Sequence, residues 1–142
     1  MWILWAVLAA ISAALVIVLT KAGLKNVDSN LAFAIQSVFI FCITWGIVTI
    51  QGNLSGIKEI ENKAWILLIL AGLATTLSTL FSYKALSIGP ASYVATIERS
   101  SLVIAIILSV IFLKEKITWQ LVTGAVLIIA GAILIALSDP GK

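Results

Sequence analysis

The chain has 142 residues, 62% of them hydrophobic and only 11% charged, with a net charge of +3. A soluble domain carries roughly 25% charged residues, so a single small core could not hide this much apolar surface, and a bilayer is the solvent that fits. The eight lysines are scattered between apolar runs in ones and twos, a pattern that excludes a nucleic-acid footprint.

Five apolar segments follow one another, and the expected fold class is an all-α membrane protein with five transmembrane helices. The first covers residues 2–20. It lacks the basic start of a signal peptide and has the length of a full span. The loop KAGLKNVDSN leads to the second, residues 31–50, and QGNLSGIKEIEN leads to the third, residues 64–86. SIGP then provides Gly89 to end one helix and Pro90 to start the next, which covers residues 91–113. KEKI links it to the last span, residues 118–137. Each segment has about the 20 residues a helix needs to cross the hydrocarbon core, and open strands would leave backbone groups unsatisfied in lipid. The short links imply antiparallel neighbours within one domain.

With alternating spans, Trp2, Trp5, Trp45, Trp65 and Trp119 fall on one membrane face, and Tyr83 and Tyr93 fall on the other. Both residue types favour interfaces, so this sorting supports the span count. The lysines do not sort. Lys58, Lys63, Lys114 and Lys116 lie on the tryptophan face, and Lys21, Lys25, Lys84 and Lys142 lie on the tyrosine face. With four against four, the positive-inside rule favours neither orientation. Either other features fix the orientation, or the chain inserts both ways and pairs antiparallel.

Charges within spans are costly, and they usually face a bundle interior or a wet cavity. Glu98 and Arg99 stand side by side in the fourth segment, Glu98 about 10 Å from its start. Neighbours on a helix diverge by about 100°, so the two need other partners. Lys84 is the nearest candidate for Glu98 in sequence. One reading makes Glu98 a cavity carboxylate that binds a proton or a cationic group in turn, with Arg99 holding an anionic group. The other makes them a buried ion pair that fixes helix packing. Gln36 in the second span and the stripe Thr75, Ser78, Thr79 and Ser82 in the third can line a pathway, or can hydrogen-bond between helices. In the last span, Gly124 and Gly131 with Ala125 and Ala132 form a small-residue seam suited to helix packing or dimerisation, and the alanines at 6, 9, 10, 13 and 14 do similar work in the first.

No histidine is present and Cys42 is the single cysteine, so no Ser–His–Asp set and no intrachain disulfide can form. No GxxxxGK[ST] loop occurs, so uphill movement of a solute would draw on an ion gradient and not on ATP through that motif. Neither an enzyme, a cofactor nor a metal site is expected.

YKALSIGPASYVATIERSSLVIAIILSVIFLKEKITWQLVTGAVLIIAGAILIAL, residues 83–137, resembles the C-terminal part of an EamA domain of the drug/metabolite transporter superfamily. The resemblance rests on the Y-x-A-L ending at Leu86, the turn Gly89-Pro90-Ala91-Ser92, the long fourth helix, the turn at Glu115 and the glycine-rich last helix. It implies one half of an inverted-repeat transporter, a multi-pass protein of a bacterial or archaeal plasma membrane that exports a small metabolite or drug-like solute. Most relatives of this kind have ten helices in two repeats, so a five-helix chain implies a homodimer or a homologous five-helix partner. The family often has Gly before the turn glutamate, where this chain has Lys114. A proton-coupled dimeric carrier is the leading expectation. A passive dual-topology channel and a non-catalytic subunit of a larger complex are the alternatives.

Overall fold

The computed structural model describes residues 2–138. Among these residues all regular secondary structure is helical. The helices are α1 (Trp2–Gly23), α2 (Ser29–Ile50), α3 (Asn62–Ile88), α4 (Ala91–Arg99), α5 (Ser101–Leu113) and α6 (Trp119–Leu137). Short 3₁₀ turns cover Leu24–Asn26 and Asn53–Glu59. The second of these gives structure to a segment expected to be a plain loop. Five spans result, because α4 and α5 together make the fourth, Ala91–Leu113.

The helix ends follow from local chemistry. The Asp28 carboxylate accepts from the backbone N–H groups of Asn30 and Leu31 at 2.9 and 3.1 Å and caps α2. Gly52, at φ 70°, adopts the left-handed conformation that ends it. Pro90 caps the start of α4, and its carbonyl takes the Val94 N–H at 3.1 Å. The Thr118 hydroxyl accepts from the Leu121 N–H and caps α6.

Very little of this surface is hidden within the chain. The buried apolar side chains are Leu24, Tyr83, Leu86, Val94, Ala125 and Ala132, while Trp2, Phe39, Leu67, Phe112 and Leu134 are among the many large apolar residues left exposed. In water such a surface would aggregate. In a bilayer it is the surface that lipid and neighbouring helices cover. The chain is a multi-pass membrane protein.

The chain divides into two compact units. One comprises Leu19–Ser87, with the end of α1, all of α2 and most of α3. Its core is Tyr83, which is 4% exposed, with its ring 5.5 Å from that of Phe33 and tilted by 54°. The Thr20 hydroxyl donates toward the Tyr83 oxygen at 3.5 Å, and the Lys21 ammonium donates to the Leu86 carbonyl at 2.7 Å. Residue type alone puts Tyr83 at a membrane interface. In the structure Phe33 and Thr20 give its ring and its hydroxyl a partner each.

The other unit comprises Met1–Val18 and Ile88–Lys142. Here α4 packs on α6, and the Tyr93 hydroxyl meets Ser138 Oγ at 3.0 Å. The apolar run predicts one long helix for the fourth span. The helix breaks at Ser100, where Ser100 N–H bonds the Ile97 carbonyl at 3.0 Å and Val103 N–H bonds that of Ser100 at 3.2 Å. These are i→i−3 bonds, and the Ser100-Ser101 pair stands where they replace the α-helical ladder.

Candidate functional site

Glu98 and Arg99 are the last two residues of α4, immediately before the break. Glu98 is half-buried and Arg99 is exposed. Within their own unit neither makes an ion pair with a described residue, so the reading as a packing ion pair finds no support there. Their directions follow from helix geometry. Tyr93 reaches α6 through Ser138, and Val103, Ile107 and Val110 line a cleft against α6. This stripe marks the side of span four that faces α6. Within α4, Glu98 lies about 140° around the helix from Tyr93. It shares its face with Val94, one turn earlier, which is 9% exposed. The carboxylate thus lies on a partly covered side of α4, away from Tyr93.

The remaining candidates belong to the other unit. Gln36, half-buried on α2, lies seven residues from the helix start, and Ser82, half-buried on α3, lies six residues before the helix end. Each is therefore roughly 9–10 Å from the end of its helix. Thr75 and Thr79 donate back to the carbonyls of Ala71 and Thr75 at 2.9 and 2.8 Å, and Thr76 does the same to Gly72 at 2.9 Å. Their hydroxyls satisfy their own helix and bond no neighbouring helix. Ser78 is exposed. Lys84 is exposed as well, and it lies in a different unit from Glu98. The cation that does tie helices together is Lys21, which places its charge at the C-terminal end of α3, where a cation is favoured. Sequence reasoning misses it, because a lysine at a span end reads as an ordinary interfacial residue.

The small-residue seam divides. Ala125 and Ala132 are buried, whereas Gly124 and Gly131 are half-buried, and a Cβ added at either would meet nothing within 4 Å. Of the alanines of α1, Ala13 is half-buried and those at 6, 9, 10 and 14 are exposed.

A model of the EamA-like transporter family matches residues 1–137. The chain belongs to the EamA-like transporter family. A Sinorhizobium protein named "Uncharacterized transporter in cobO 3'region" is 38% identical over 135 residues, covering 95% of this chain and 96% of its own. An uncharacterized protein of Methanocaldococcus jannaschii is 37% identical over 71 residues, covering 50% of this chain and 52% of its own. No solved structure matches. The chain is accordingly a membrane transporter of this family.

Proposed function

We propose that this transporter is a proton-coupled secondary carrier that exports a small solute across a bacterial or archaeal plasma membrane as a dimer. The observation that carries the reading is Glu98, a half-buried carboxylate inside a span, one residue from an exposed arginine and two from a break in the helix. Ionisable groups inside spans mark ion or substrate pathways, and interrupted helices are where secondary transporters build their binding sites. Glu98 exchanges a proton against solute binding. Arg99 favours an anionic or zwitterionic solute, with Gln36 and Ser82 as further pathway groups and Lys84 as the cation nearest in sequence. Five helices make one half of an inverted-repeat carrier, so two copies inserted in opposite directions, or one copy with a homologous partner, complete it.

The test uses protein reconstituted in vesicles that hold a pH-sensitive dye and are challenged with pools of small metabolites. Wild-type protein is expected to move protons in response to at least one pool, and Glu98→Gln protein to move none. A Glu98→Gln protein as active as wild type overturns the role given to Glu98. Solute flux indifferent to the pH gradient favours a passive channel. Absence of flux together with stable co-purification of a different protein favours a subunit of a larger complex.

A further inference from the structure

The two halves of span four stand in different relations to α6. The upper half, α4, is packed on α6 and tied to it by the Tyr93–Ser138 hydrogen bond. The lower half, α5, stands off, and a cleft of about 300 Å³ opens between it and α6. Val103, Ile107 and Val110 line one wall and Val122, Ala125 and Ile129 the other, and every residue of the lining is aliphatic. Branched side chains of this kind on facing helices ordinarily interdigitate to the density of an organic crystal. Here they face each other across open space. At its two ends α5 is held by irregular backbone. The i→i−3 turn at Ser100 precedes it, and Lys114, at φ 54°, ends it in the left-handed conformation.

We propose that α5 is a hinged lever that swings about Ser100-Ser101 toward α6 and closes this cleft, while α4 stays fixed on α6. A 3₁₀ turn within a helix is where a hinge is built at low cost, since one hydrogen-bond pattern exchanges for another without leaving the helical region. Thirteen residues make a lever about 20 Å long, so a rotation of about 10° at Ser100 moves its far end by about 3 Å. Closure joins the aliphatic walls and expels the acyl chains that otherwise fill the cleft. The hinge follows directly after Glu98 and Arg99, so a change of charge or ligand there acts on the last turn of the fixed half.

The test is a pair of distance measurements between spin labels in lipid, in a Cys42→Ala chain diluted with unlabelled protein so that only distances within one chain are read. Labels at Phe112 and Leu127, both exposed, report α5 against α6. Labels at Ser92 and Leu134, also exposed, report α4 against α6. The first pair is expected to show two populations separated by several ångströms, the second a single narrow one. Ser100→Ala with Ser101→Ala, which favours continuous helix, is expected to merge the two populations of the first pair. A Phe112–Leu127 distribution as narrow as the reference, or one that the double variant leaves unchanged, overturns the hinge. If the double variant does not fold, the comparison of the two pairs alone decides. Because the readout is a distance and not a flux, its failure leaves the transport reading standing.

Discussion

The Tyr93 hydroxyl and Ser138 Oγ are hydrogen-bonded across 3.0 Å, joining the start of α4 to the residue that follows α6. Ser138 Oγ also lies within donating distance of the Ile135 carbonyl, at 2.7 Å. Tyr93→Phe deletes one side of this bond and leaves Ser138 with the Ile135 carbonyl. It is expected to lower the stability of the protein by about 0.5–1 kcal/mol, the range of a hydrogen bond between membrane helices. Thermal unfolding in detergent measures this, with Ser138→Ala and the double variant completing a cycle. A coupling energy of zero between the two sites would show that α4 is held on α6 by packing alone.

Lys114 is a second local prediction. It ends α5 at φ 54°, where a side chain crowds the following carbonyl and glycine does not. A left-handed conformation at this position is one that glycine adopts without strain. Lys114→Gly is expected to stabilise the protein by about 1 kcal/mol, because the relief of left-handed strain exceeds the added freedom of the unfolded chain. A lower unfolding temperature for Lys114→Gly would mean that the lysine side chain holds the turn by an interaction of its own.

These two cases mark what a sequence can convey. Length and hydropathy locate all five spans, since a bilayer imposes one thickness on every helix, and Gly89-Pro90 marks the turn between α3 and α4. The break in span four is hidden, because Ser100 and Ser101 interrupt an apolar run without changing its character. Tyr83 and Lys21 read by type as interface residues, when their positions depend on Phe33, Thr20 and the Leu86 carbonyl, contacts far apart along the chain. The hydroxyls of Thr75 and Thr79 are equally ambiguous, since a threonine can bond its own helix or another and only coordinates distinguish the two. Glu98 is legible as a costly charge, while its place on the covered side of α4 with Val94, next to the break at Ser100, is not.

The half-buried glycines of α6 give a test of the dimer that leaves the single chain intact. Neither Gly124 nor Gly131 has a neighbour within 4 Å of an added Cβ, so the first carbon of a side chain there meets no clash within the protomer. Gly124→Leu with Gly131→Leu is expected to preserve helix content and unfolding temperature while shifting the protein in detergent from dimer to monomer by at least about tenfold in apparent dissociation constant. A small-residue surface brings backbones close, and two leucines prevent that approach. An unchanged dimer with both leucines in place would move the interface away from this face of α6.

Orientation decides which kind of dimer is available. Lysines divide four against four between the two faces, so positive charge gives the inserting chain no preferred direction. Two separate copies make an inverted pair only when they insert in opposite directions. Single cysteines at Gly56 and at Lys142, each in a Cys42→Ala chain, report opposite faces under the five-span count. Labelling of intact cells with an impermeant thiol reagent is expected to reach roughly half of the protein at each site, the proportion that equal charge bias implies. Full labelling at one site and none at the other would fix a single topology. The chain would then need a partner of opposite orientation to complete an inverted pair, and a homodimer of this protein would be parallel.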